Sequence, residues 1–139
     1  MKKAVIIYHS KTGRTRSYAE KVAKYLKEKE IEVIKTDLED FKDELFDEAN
    51  YIFFGCWTHG LFIILQHPDK EWIDFAAKLP SMPGVKIALF TTYKILTGSM
   101  FKNMYKQLKG KFAAPSLELK SRNGFLSAAD KLKLDTIIE

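Results

Sequence analysis

The chain has 139 residues, 46% of them apolar and 29% charged, with a formal net charge of +5. This length and apolar content predict one folded domain, 1–139, with a substantial core, and exclude a disordered or repetitive chain. The single cysteine, Cys56, excludes an internal disulfide, and no apolar run reaches membrane-spanning length.

The start, Met1-Lys2-Lys3 and a short apolar run, is not a signal peptide, because polar residues follow Tyr8. A cytoplasmic protein that contacts no membrane is expected. The positive charge first suggests a nucleic-acid partner. Its lysines are interleaved with acids, as in Lys27-Glu28-Lys29-Glu30, which is the pattern of a solvated helix face. No zinc-ligand spacing or nucleic-acid-binding signature stands out, so neither metal nor nucleic acid is expected.

Ala4 to Tyr8 reads as a strand covered on both faces. His9-Ser10-Lys11-Thr12-Gly13-Arg14-Thr15 then supplies three hydroxyls and a glycine, and Ala19, Val22, Ala23 and Leu26 mark a helix face. A loop of this kind turns backbone N–H groups and hydroxyls toward one point, where the helix dipole favours an anion. Ser10 and Thr12 could instead form only a local turn or cap. The three hydroxyls and the glycine favour a phosphate site. The Gly-Lys-Ser/Thr ending of a Walker loop and the further glycines of a dinucleotide fingerprint are both missing.

Residues 31–36 alternate as a second strand. Asp37 to Asn50 forms an acidic crossover with Leu38, Phe41 and Leu45 at helical spacing. Tyr51 to Gly55 is a third strand leading into the loop Cys56-Trp57-Thr58-His59-Gly60-Leu61. Trp57 is either a ring-stacking wall or a core aromatic at a strand end, with His59 and Leu61 as substitute walls. His59 is an exposed loop residue or a group that tunes a nearby ligand. Cys56 is read as a packed small residue rather than a nucleophile. Gly60 to Gln66 is unusually apolar for a loop.

His67-Pro68-Asp69-Lys70-Glu71 opens a helix whose buried face is Trp72, Phe75, Ala76 and Leu79. Val85 to Thr91 is strand four, followed by the loop Thr92-Tyr93-Lys94-Ile95-Leu96-Thr97-Gly98-Ser99. Phe101, Met104, Tyr105 and Leu108 form the stripe of the next helix, which Gly110 ends. Ala113 to Leu119 reads as an edge strand with Pro115 near its start. Ser127 and Asp130 form a variant capping box on the last helix. The alternation predicts an α/β fold with a doubly wound five-stranded parallel sheet.

The run from Ile6 to Thr15, followed by Ala19 and Val22, resembles the phosphate-loop signature of the flavodoxin family, Ser/Thr-x-Thr-Gly-x-Thr, across its full length. The resemblance implies strand order 2-1-3-4-5 and FMN as cofactor. It implies hydroxyl bonds to the phosphate from Ser10, Thr12 and Thr15 and backbone N–H bonds from Lys11, Thr12, Gly13, Arg14 and Thr15. It further implies that Trp57, Thr58, His59 and Gly60 wall one side of the flavin, and that Thr92, Tyr93 and Lys94 hold its pyrimidine end and outer face. Without a long insertion in strand five, the chain resembles the short-chain members.

The basic charge departs from the acidity usual among electron-carrying flavodoxins, and the strand-four loop carries Lys94 where an acidic pattern is common. The expected function is an FMN-dependent electron carrier with a redox partner protein, as a monomer or weak dimer, and with no dedicated catalytic residue. The alternatives are a small FMN-dependent reductase and a non-redox module that binds a phosphate ligand or a regulatory partner. Among regulatory variants, an activator of ribonucleotide reductase is disfavoured by few ring-side glycines. A signalling receiver domain is disfavoured by the missing acids after strands one and three.

Overall fold

The computed structural model describes residues 1–58, 68–94 and 97–139. Its elements run β1 (Lys3–His9), α1 (Arg14–Glu28), β2 (Glu32–Asp37), a 3-10 turn (Asp43–Phe46), β3 (Tyr51–Trp57), α2 (Lys70–Ala77), β4 (Lys86–Thr92), α3 (Met100–Leu108), β5 (Leu117–Ser121) and α4 (Ala128–Ile138). The sheet has five strands in the order β2-β1-β3-β4-β5. All four pairings are parallel, and the predicted fold class and order are as observed.

Successive strand residues face opposite sides of the sheet. Ala4, Ile6, Tyr8, Phe53 and Phe90 pack with Tyr18, Val22 and Leu26 of α1 and Leu134 and Ile137 of α4. Val5, Ile7, Ile52, Phe54 and Leu89 face Trp72 and Ala76 of α2 and Met100, Met104 and Leu108 of α3. Both sheet faces are thereby covered, which is why the central strands read as unbroken apolar runs. Gly55 is required by this packing: a Cβ there would lie 2.0 Å from the Phe90 ring.

Several boundaries differ from the sequence reading. Cys56 and Trp57 belong to β3 rather than to the loop, because they pair with Thr91 and Thr92. Likewise Thr92 is the last residue of β4. Strand β5 starts after Pro115, which has no N–H to donate; the first bond to β4 comes from the Ser116 N–H to Ile87 O. The buried stripe of α3 is Met100, Met104 and Leu108, with Phe101 and Tyr105 only partly buried. In the acidic crossover Phe46, not Leu45, enters the core, and Phe41 packs against it with ring centroids 4.7 Å apart.

Candidate functional site

The C-terminal ends of β1, β3 and β4 lie side by side, with His9 opposite Cys56 and Trp57 opposite Thr92. Chain segments leaving these ends must gather along one edge of the sheet. From β1 comes the loop 10–14, half-buried at Ser10 and exposed from Lys11 to Arg14. Gly13 turns it at φ +94°, a left-handed conformation that favours glycine, and the space beside its Cα is open. The Ser10 hydroxyl accepts the Gly13 N–H at 3.0 Å, so Ser10 makes the local turn bond. Thr12 is exposed.

Helix α1 starts at this loop. Among the described residues no side chain caps it, and its first turn holds no acid. Helix starts leave several N–H groups without intrahelical partners and carry partial positive charge. Lys11 and Arg14, both exposed, add full charges. An anion suits this place on both counts. Behind the loop, a Cβ on Gly124 would stand 3.0 Å from the Arg14 carbonyl oxygen, so the β5–α4 turn packs closely against the start of α1.

The threonines of the edge are bonded among themselves. Thr15 is buried, and its hydroxyl lies 2.6 Å from that of Thr92. The Thr91 hydroxyl donates to the Cys56 carbonyl at 2.5 Å. Thr58 is then the donor in the 2.8 Å bond between the Thr58 and Thr91 hydroxyls. The Thr58 N–H donates to Thr92 O and the Tyr93 N–H to Ser121 O. Arg122 donates through two nitrogens to the Lys94 carbonyl. These bonds extend the sheet and fix where its loops depart.

Trp57 is half-buried at the end of β3. Its indole Nε1 donates to Asp69 Oδ2 at 3.2 Å, and the Lys11 ammonium lies 4.7 Å from its ring centroid. His9 Nε2 meets the same Asp69 oxygen at 2.7 Å. The other Asp69 oxygen caps α2, accepting the Glu71 N–H at 2.7 Å and the Trp72 N–H at 3.4 Å. Burial pushes the Asp69 carboxyl upward, but the His9 bond and charge and the two capping N–H groups outweigh it and hold it below the usual carboxylate range. The Cys56 thiol is fully buried, and burial raises its pKa, as suits a packed residue.

The structure thus brings Ser10, Lys11, Thr12, Gly13, Arg14, Thr15, Trp57 and Thr92 to one edge, with Thr58, Tyr93 and Lys94 just beyond it. His59, Gly60 and the apolar run to Gln66 lie outside the described residues, as do Ile95 and Leu96. On the β2 side of the loop a cleft of about 300 Å³ includes Tyr8, His9, Arg16 and Asp37. The sequence reading missed the lateral bonds of Asp69. Its Pro-Asp context signalled a helix start, whereas contacts across 60 residues leave no local trace.

A family model, flavodoxin, matches residues 6–122. The chain belongs to the flavodoxin family. The two-electron reduced flavodoxin of Megasphaera elsdenii is similar in structure, with a TM-score of 0.77 at 19% identity over 96% of each chain. Oxidised flavodoxin 2 of Bacillus cereus is similar with a TM-score of 0.75 at 22% identity, over 98% of this chain and 95% of that one. Rubredoxin oxygen:oxidoreductase of Desulfovibrio gigas is similar over 97% of this chain but only 34% of its own, with a TM-score of 0.72 at 19% identity. At these identities the likeness is one of fold. No curated protein matches the chain. Among the described residues no helix is long and apolar enough to cross a membrane, and no cluster of metal-ligating side chains is found. Within the family's strand order, the hydroxyl loop and Trp57 occupy the carboxyl ends of neighbouring strands, where open α/β sheets bind ligands; FMN in a flavodoxin-like sheet is a standard example of that rule.

Proposed function

We propose that this chain binds FMN without a covalent link and carries electrons between partner proteins. The observation that carries this reading is the exposed hydroxyl loop at the uncapped start of α1, beside the ends of β3 and β4. The donor set fits a phosphate: the Thr12 and Ser10 hydroxyls, the N–H groups at the helix start, and the Lys11 and Arg14 charges. The Gly13 N–H is held by Ser10, so its use on a phosphate requires Ser10 to rotate outward. The buried Thr15 hydroxyl ties the loop to β4 at Thr92 and supports the phosphate through its backbone N–H.

Trp57 and Tyr93 flank the ring in this reading, with Thr58, His59, Gly60, Thr92 and Lys94 completing its edges. FMN supplies the electron chemistry; the protein sets its orientation and potential. Lys11, Arg14 and Lys94 favour negative charge on the reduced cofactor, so the second one-electron potential is less negative than in strongly acidic relatives. The chain acts as one domain, in the cytoplasm, as a monomer or weak dimer, on a protein partner rather than on nucleic acid or a membrane.

Purified protein reconstituted with FMN and freed of excess should show the flavin's visible bands with quenched fluorescence. Thr12→Ala should weaken retention and Gly13→Asp should abolish it. A folded wild type that stays colourless would contradict the redox reading and leave the loop as a site for another phosphate ligand.

A further inference from the structure

One carboxylate joins three parts of the edge. Asp69 Oδ2 is shared between the His9 imidazole, one residue before the phosphate loop, and the Trp57 indole N–H, while Oδ1 caps α2. A helix cap needs only the last of these bonds. The His9 side chain is 15% exposed and that of Asp69 20%, so the pair is shielded though not sealed. We propose that Asp69 is a positioning residue that sets the orientation of Trp57 according to the charge on His9. The proposal rests on Trp57 being a wall of the flavin site.

The physical basis is competition for one oxygen. Neutral His9 donates from Nε2 to a carboxylate that is already charged. The imidazolium adds a full positive charge to the donor side, which turns that bond into an ion pair and strengthens it further. A stronger claim on Oδ2 by His9 weakens the bond that fixes the indole. Other groups facing His9 set the balance. Glu71 of α2 lies 3.7 Å from Nε2 and also favours the charged ring. Arg16 of α1, Asp37 at the end of β2 and Glu39 in the segment after it line the cleft on its other side. The Lys11 ammonium lies over the same indole, 4.7 Å from its ring centroid.

Protonation of His9 by acid should loosen Trp57 and weaken FMN, whereas the phosphate loop itself gains a nearby positive charge. Riboflavin lacks the phosphate, so its binding isolates the ring wall and should fall more steeply with acid than FMN binding.

The test uses the apoprotein and needs no flavin. The two tryptophans give two indole N–H resonances, and Trp57→Phe identifies the one from Trp57. In the wild type this resonance should move as the pH falls from about 8 to about 5.5, a span wide enough to bracket imidazole titration. Asp69→Asn keeps a capping oxygen and so preserves α2, because Asn caps about as well as Asp. It should abolish the movement, and His9→Gln should do the same. The movement surviving in Asp69→Asn, or absent from the wild type, would overturn the proposal and leave Asp69 as a helix cap alone. Failure of the protein to bind FMN would leave this readout intact, so the two readings fail separately.

Discussion

At Gly13 two demands meet, a left-handed backbone and an open approach to the helix start. Gly13→Ala adds a methyl group that meets no neighbour, so its cost is conformational, about 1 kcal/mol. Equilibrium denaturation should report that small loss, while FMN affinity falls further because the loop relaxes out of shape. Lys11 can be separated from the fold because it is exposed. Lys11→Gln should leave stability nearly unchanged, weaken FMN severalfold and make the second one-electron potential more negative, as read by potentiometric titration. An unchanged potential would show that this charge does not reach the ring. The pattern of hydroxyls and glycine was legible in the sequence because residues 10–15 are contiguous. The commitments of Ser10 to Gly13 and of Thr15 to Thr92 were not, since one is a choice of rotamer and the other joins positions 77 residues apart.

At the scale of elements, α2 and α4 were readable from capping chemistry, α1 and α3 from their apolar stripes, and the strands from apolar runs or alternation. Ser127 accepts the Asp130 N–H, and Asp130 accepts the Ser127 N–H, closing the expected capping box on α4. Ser127→Ala should cost about 1 kcal/mol. The ends of β3 and β4 were placed too early because Gly55 and the polar Thr92 break the apolar runs without ending the ladder. The pairing of Gly55 with Phe90 belongs to the same level. Gly55→Ala forces the ring aside and disturbs its edge contact with Tyr18, at a cost of about 1–3 kcal/mol.

Asp69 gives this level a pH dependence. Its carboxyl is held below its unfolded value, so its contribution is present above about pH 3.9 and is lost as pH falls through the lower native value. Asp69→Asn should therefore flatten the acid limb of stability measured between pH 5 and pH 2, a window of roughly the width over which a salt-bridged Asp titrates. An acid limb identical to that of the wild type would show that other carboxylates govern acid unfolding.

Across the whole molecule, the sheet is held between two helical layers by apolar packing, with buried polar bonds joining elements. Tyr18 donates to Asp130 at 2.7 Å and links α1 to the cap of α4. Burial, then the Asp130 bond, raises the Tyr18 pKa, so its contribution is present below about pH 10 and is lost as pH rises above that unfolded value. Tyr18→Phe should lower stability at pH 7 by about 1 kcal/mol while reducing the loss on going to pH 11 (roughly one unit above the free tyrosine value).

The net charge of +5 acts at this scale as well. It predicts association with an acidic redox partner that slows as salt rises, and association with a basic one that speeds up as salt screens the repulsion. The order of the sheet was legible from the alternation of elements and the family signature, whereas the partner is chosen by a surface whose charges are scattered along the chain. The central claim is that the loop before α1 holds the phosphate of FMN. The most direct measurement is the dissociation constant of FMN beside that of riboflavin, by flavin fluorescence quenching, in the wild type and in Gly13→Asp. The account predicts that the wild type binds FMN at least tenfold more tightly (about 1.4 kcal/mol) and that Gly13→Asp removes this preference. Equal affinity for the two flavins in the wild type, or a preference untouched by Gly13→Asp, would contradict it.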